Sequence, residues 1–287
     1  MPGVCGPRSD QDDHRRGRIC PGAGRCVSAS GGHAAHRRGA ERLDHGRDQI
    51  ARARHRKIFR MVASPDYDAD AARVFECLQD GGIAIVHMDV AYAIMSGTED
   101  ALRRVYAAKA RSYDRPSGVV ANHRTHREIQ IVSEEASRII DAVTVRHDLP
   151  MSVIAPYRKA HPLMSAIPPF LTGMSTKDDT VNFLLNASPL RGRIAELSLE
   201  ANFPLMASSA NRSQQGTKYR AQDIEAEVRD VADVIIDYGP SKYLQEGYAY
   251  SSTQIDFRTY TVVRKGVCYD RIAAIFMDEF GIELRAD

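Results

Sequence analysis

The chain has 287 residues, enough for one large domain or two small ones, and its 43% hydrophobic and 26% charged content is ordinary for a globular protein. No uninterrupted apolar run approaches the ~20 residues of a membrane-spanning helix, and five cysteines scattered over this length make no disulfide framework. The net charge of +2 conceals an asymmetry: residues 1–60 carry 14 Lys/Arg against 6 Asp/Glu, the remainder 25 against 31, so the body is mildly acidic and its overall balance gives no support for wholesale nucleic-acid binding. Together these features predict a cytoplasmic protein in a reducing compartment, with no membrane partner.

Residues 1–60 hold nine of the twenty glycines and five of the ten histidines, with almost no apolar periodicity. Such a segment cannot bury a core, so it reads as disordered. No apolar stretch follows its early charges, which sets it apart from a signal peptide. Cys20, Cys26, His33 and His36 could supply four metal ligands, but their spacing lacks the tight pairs of zinc modules. A basic tail touching RNA is a stronger reading, and an over-extended reading frame with Met61 as the natural start is stronger still. The folded domain is accordingly expected over residues 61–287.

From Ser64 the pattern changes. Ala71, Val74, Phe75 and Leu78 repeat at helical spacing and Gly81-Gly82 closes the run. Ile83–Val86 reads as a strand, and Thr98 caps a helix that carries Glu99 and Asp100 in its first turn and runs into Lys109. Gly118–Ala121 reads as a strand, and Ser133 caps a helix bearing Ile139, Ile140 and Val143. After a strand at Met151–Ala155, the segment Pro156–Asp179 is rich in Pro, Gly and Met, and a connection of that length is usually functional or mobile. Thr180–Leu185 is a strand, and Ser188-Pro189 opens a helix through Ile194 and Leu197. Strands follow at Pro204–Ala207, Val234–Asp237, Ser252–Asp256 and Thr261–Val263, with helices at Ala221–Val228 and Asp270–Phe280. Strands and helices mix without strict alternation, which predicts an α/β fold with a mixed sheet.

Three strand ends gather polar residues. Lys109, Arg111 and Arg115 form a basic turn between helix and strand, and guanidinium forks suit phosphate oxygens. Taken alone this turn is better explained by a solvated helix end. Ser208-Ser209-Ala210-Asn211 places small donors after a strand, where amides and hydroxyls can cradle a phosphate, although Ser/Asn turns also bond their own backbone. Ser252-Thr253 and Arg264 add a hydroxyl pair and a cation on neighbouring strands. The three together suit an anionic nucleotide.

In this order the clusters resemble the Sua5/YciO/YrdC family. Its pattern runs Gly-Gly strand, Pro-Thr-Asp-Thr-x-Tyr-Gly-Leu, a Lys-x-Arg turn ending in Pro-Leu, Thr-Ser-Ala-Asn-x-Ser-Gly, Ser-Thr-x-x-Asp and Arg-x-Gly. Here the counterparts are Gly81-Gly82, His87–Ile94, Lys109–Ser117, Ser208–Ser213, Ser252–Asp256 and Arg264–Gly266, spanning about residues 68–270. The resemblance implies a single YrdC-like domain, a twisted mixed β-sheet with flanking helices around a large cationic cavity. It also implies synthesis of L-threonylcarbamoyladenylate from threonine, bicarbonate and ATP with Mg²⁺, for tRNA threonylcarbamoyladenosine formation, with no protein-held metal. Positions similar to the family's nucleotide contacts are Lys109, Arg111, Arg115, Thr180, Ser209, Asn211 and Arg264. Those of the amino-acid or acceptor pocket are Asp89, Val90, Tyr92, Val120, Leu184, Ser208 and Ser252.

The departures concentrate in the second group. Pro-Thr-Asp-Thr is His87-Met88-Asp89-Val90, the expected histidine falls at Val120, the expected arginine at Leu184, and Pro-Leu is Pro116-Ser117. A buried carboxylate without a partner costs several kcal/mol, so losing that arginine and histidine leaves threonine without its usual anchor. The expectation is a kept nucleotide half and a rebuilt amino-acid half, with Tyr157, Arg158 or His161 as substitute anchors. The alternatives are carbamoyl transfer from an adenylate to another acceptor, and a non-synthase paralogue binding nucleotide or double-stranded RNA.

Overall fold

The computed structural model describes residues 58–61, 65–244 and 250–286; the segment up to residue 57, including the Cys20, Cys26, His33 and His36 set, lies outside the described residues. In chain order the strands are β1 (Ile58–Met61), β2 (Ile83–Val86), β3 (Ala93–Ser96), β4 (Gly118–Val119), β5 (Met151–Pro156), β6 (Thr176–Lys177), β7 (Thr180–Leu185), β8 (Met206–Ser209), β9 (Val234–Asp237), β10 (Gln254–Asp256), β11 (Thr261–Arg264) and β12 (Arg285–Ala286). The helices are α1 (Tyr67–Gln79), α2 (Glu99–Ala108), α3 (His123–Ile129), α4 (Glu134–Asp141), α5 (Pro162–Ser165), α6 (Pro169–Ser175), α7 (Pro189–Glu200), α8 (Ala226–Arg229) and α9 (Tyr269–Phe280).

Local chemistry sets the helix ends. Asp66 accepts the Ala69 amide at 3.0 Å to start α1, and Gly81, at φ +77°, lets Gly82 N–H return to Cys77 O at 2.9 Å. Thr98, Ser133 and Ser188 accept the third amide of α2, α4 and α7 in the same way. At the other end of α2, Ala110 adopts φ +47° and Arg111 N–H bonds Tyr106 O at 2.9 Å. This left-handed cap turns the chain sharply and fixes the direction in which the basic turn leaves the helix.

The twelve strands form one mixed sheet in the order β1-β9-β2-β3-β8-β4-β7-β5-β10-β11-β12, with β6 paired to β7. Pairs β1–β9, β9–β2, β4–β7, β5–β10 and β11–β12 are parallel, and the other pairs are antiparallel. This is the α/β class with a mixed sheet that the sequence predicts. Helices α1 and α7 pack on each other and bury Val74, Leu78, Leu190 and Ile194 in one apolar cluster with Val86 and Met95. A second cluster, around Val119, Val153, Phe183 and Ile272, joins α4, α6 and α9 to strands β4, β5 and β7.

Several expected elements differ. The segment after β5 is not an irregular connection: it contains α5, α6 and β6, and each of these helices begins with a proline at its first position. There proline loses no hydrogen bond, so residues that read as breakers are starters. The helix expected over Ala221–Val228 is a 3₁₀ turn at Ala221–Asp223 followed by α8. Ile224 is extended and buried between them, and the Glu225 carboxylate bonds Arg212 N–H at 3.1 Å, contacts that a continuous helix would forfeit. The eighth strand begins two residues later than expected, at Met206, and the strand expected over Gly118–Ala121 ends at Val119.

Candidate functional site

Alternate residues of a strand share a face, and residues directly opposite on neighbouring strands share it too. Leu184 on β7 pairs with Ser152 on β5, Ser152 with Gln254 on β10, and Gln254 with Arg264 on β11. That row crosses four strands on one face of the sheet, and all four residues border a cavity of about 130 Å³. Asn182, Gly118, Ala207 and Ser209 continue its floor, while Phe183 and Val181 point into the core on the opposite face.

The wall is cationic. Arg111 enters from the turn after α2, its Nε donating to Arg115 O at 3.2 Å and its Nη2 to Pro116 O at 2.9 Å. Arg264 donates to Ser252 O through Nη2 at 2.9 Å and lies 3.4 Å from Ser252 Oγ, which in turn sits 2.8 Å from Ser152 Oγ. Burial, reinforced by Arg111, depresses the Arg264 pKa to about 10. No carboxylate borders this cavity among the described residues. Beneath its floor Lys109 is buried at 1% exposure, its Nζ donating to Ser209 O and its carbonyl accepting Ser213 N–H at 2.8 Å. Burial and the neighbouring Arg111 lower its pKa to about 7.

The sequence-predicted residues divide. Arg111, Leu184, Ser208, Ser209, Ser252 and Arg264 meet at the cavity, with Lys109 below it. Asn211 is buried beside Ser209, its Nδ2 on Arg212 O at 2.5 Å and its Oδ1 without a partner. Arg115 is exposed and offers its carbonyl to Arg111 and to Tyr106 Oη, and Thr180 closes the β6–β7 turn through Lys177 O at 2.7 Å; neither borders the cavity. Val90 and Val120 are fully buried in the apolar cluster with α1 and α7. Tyr92 is likewise buried, its hydroxyl bonded to Asp237 and to Gly239 O, so it braces the core rather than facing the cavity. Asp89 borders a different space. Of the three substitute anchors, Arg158 spends its guanidinium on Glu128 O and Gln130 O, and His161 caps α5; Tyr157 packs against the core, and none of the three borders the cavity.

One residue absent from those expectations stands out. Arg191, on the first turn of α7, is 4% exposed and borders the cavity. Its Nη1 donates to Ala121 O at 2.7 Å and Leu184 O at 2.6 Å, while Nε has no partner. Burial alone depresses its pKa to about 10, with no charged neighbour to offset it. A cation in the first turn of a helix opposes the helix dipole, and that conflict is the signal in the sequence by which it could have been found.

The mixed sheet thus carries a cationic, hydroxyl-lined cavity on one face. Residues 76–266 match the family model described as Telomere recombination, Sua5_yciO_yrdC, and the chain belongs to the Sua5/YciO/YrdC family. No curated protein matches the chain. Among solved structures it is similar to hypothetical protein smu.1377c from Streptococcus mutans, with a TM-score of 0.62 at 20% identity over 75% of this chain and 93% of that one. It is similar to P. abyssi Sua5 complexed with L-threonine (TM-score 0.60, 21% identity, 77% of this chain and 59% of that one) and to E. coli YciO (0.53, 19%, 71% and 92%). At these identities the likeness carries the fold. No helix among the described residues is long and apolar enough to cross a membrane.

Proposed function

We propose that the chain is an ATP-dependent enzyme of the L-threonylcarbamoyladenylate synthase type in which the nucleotide half of the site is kept and the acceptor half is altered. The observation that supports this most is the convergence of Arg111 and Arg264 with Ser209 and Ser252 on a cavity without carboxylates among the described residues. Donors alone suit phosphate oxygens, and an acid-free wall does not repel them. The cavity is below the roughly 300–1,000 Å³ of pockets that hold drug-sized ligands. Nucleotide entry therefore requires Arg111 and Arg264 to exchange their present acceptors, the carbonyls of Pro116 and Ser252, for phosphate oxygens. Mg²⁺ would arrive on the triphosphate, since the described residues of the wall offer it no carboxylate.

In this reading bicarbonate and an amine give a carbamate with loss of water, a carbamate oxygen attacks the α-phosphorus, and pyrophosphate leaves. Arg111 and Arg264 stabilise charge that accumulates on the phosphoryl oxygens. L-threonine is the amino acid in the P. abyssi Sua5 complex. Here Met88, Ala93, Leu184 and Ala207 give the cavity an apolar side, which favours a carbamoyl acceptor other than threonine as the second reading.

Pyrophosphate release measured with ATP, Mg²⁺, bicarbonate and each amino acid in turn tests both. Release that depends on threonine supports the synthase, and release with another acceptor supports the second reading. ATP binding without release under any condition overturns both and leaves a nucleotide- or RNA-binding paralogue. Arg111→Ala is expected to weaken ATP binding at least tenfold; unchanged affinity would remove Arg111 from the site.

A further inference from the structure

Arg111 sits on a turn that has its own internal support. Its Nε shares the Arg115 carbonyl with a second donor, Tyr106 Oη, at 3.2 and 2.8 Å. Tyr106 lies in the last turn of α2 and is 1% exposed, and the Arg111 guanidinium stands over its ring, 5.6 Å from the centroid and within cation–π range. Tyr113, two residues beyond Arg111, stacks on the same ring at 5.3 Å and 25°. Phe170 of α6 closes edge-on against Tyr113 at 5.8 Å. The Tyr106 hydroxyl oxygen also sits 3.2 Å from Ser117 Oγ. Ser117 is 3% exposed and stands where the family pattern has leucine, so this chain buries a hydroxyl that the pattern lacks.

We propose that Tyr106, set by Ser117, is the positioning residue of Arg111: it keeps the Arg115 carbonyl bonded when the guanidinium leaves that carbonyl for a phosphate oxygen. A carbonyl has two lone pairs and accepts both donors, so losing one leaves the turn tied to α2 through the other. With its proton on Arg115 O, Tyr106 Oη accepts in turn from Ser117 Oγ, which fixes the direction of the donor. The second acceptor of Arg111, Pro116 O, belongs to an exposed residue at the cavity border, where solvent can take the place of the guanidinium. Without the Tyr106 hydroxyl, Arg111 is the one donor left to Arg115 O among the described residues, and withdrawing it orphans that carbonyl. This role rests on the nucleotide reading of the cavity and adds to it how the site changes partners when ATP enters.

Calorimetric titration of the full chain with ATP and Mg²⁺, paired with thermal unfolding, tests this. Tyr106→Phe is expected to weaken ATP binding about fivefold, the worth of one hydrogen bond, and to lower the melting temperature because Ser117 Oγ loses its partner. The double variant, Tyr106→Phe with Ser117→Ala, separates positioning from stability. Removing both hydroxyls should restore the melting temperature and leave ATP affinity as low as in Tyr106→Phe. The proposal is overturned if Tyr106→Phe binds ATP as tightly as the wild type, or if affinity follows the melting temperature across the two variants. Weaker binding by Arg111→Ala without weaker binding by Tyr106→Phe would sink this role alone. A wild-type chain that binds no ATP would overturn the nucleotide reading and this role together.

Discussion

Lys109 carries its charge under the floor of the arginine-lined cavity, with one backbone carbonyl for a partner and Arg111 nearby. Its folded-state pKa of about 7 lies well below the ordinary lysine value. Between those two values the unfolded chain binds more protons at this position than the folded one, so stability rises with pH across that window and is lost as pH falls toward 7. Urea unfolding from pH 7 to 10 should show this as a steeper pH slope in the wild type than in Lys109→Met, by up to about 1.4 kcal/mol per pH unit. Equal slopes would mean that Lys109 titrates normally. Under the proposed function, a triphosphate over the floor would reverse the balance by stabilising the cationic form. At this scale the sequence was legible where cations cluster: Lys109, Arg111 and Arg264 were read as phosphate-facing and lie at or under one cavity. Arg191 left only a faint trace there, a cation in the first turn of a helix. In Pro189–Glu200 that arginine flanks the apolar Leu190 and Ile194, and packing shows that α7 turns it inward against Ala121 and Leu184.

Strands β10 and β11 hold Ser252 and Arg264 in place through a close backbone approach. A Cβ built on Gly266 would stand 2.2 Å from Ser252 C and 2.4 Å from Thr253 N, with no flexible side chain to yield. Gly266 N–H also bonds Thr253 Oγ1 at 3.1 Å, and Thr253 Oγ1 donates to Val267 O at 3.0 Å. Gly266→Ala should therefore displace the Ser252 segment and cost about 1–3 kcal/mol, the range of overpacking in a tight interior. Thermal unfolding would register the loss, and ATP affinity would fall with it because Arg264 is anchored on Ser252 O; a variant as stable as wild type would show that the two segments can separate freely. Element by element, strong apolar runs and capping residues made β2, β7, β9 and the helices α1, α2, α4, α7 and α9 readable. The segment between β5 and β7 was not, because proline has opposite meanings inside a helix and at its first position, and pattern alone does not tell which applies. Helix α8 failed for another reason: Ile224 and Glu225 satisfy tertiary contacts at the expense of local helix propensity.

At the scale of the whole molecule, the long sheet separates the site from the elements that end it. The cavity rests on β3, β8, β4, β7, β5, β10 and β11, whereas β1 forms the far edge beside β9. Strand β1 pairs in parallel register with all of β9, Ile58 with Val234 through Met61 with Asp237. A chain that begins at Met61 lacks three of those four partners and leaves the outer edge of β9 with unpaired backbone groups, a surface that invites strand addition from another molecule. Two strands, β9 and β2, stand between that edge and β3, the first strand of the cavity, so the disturbance should not reach Arg111, Ser209 or Arg264. Such a chain is expected to unfold about 2–4 °C lower and to self-associate at high concentration by light scattering, with ATP affinity unaltered. An ATP affinity that falls together with the melting temperature would mean that edge and cavity unfold as one cooperative unit, and that residues before Met61 serve the site as well as the sheet.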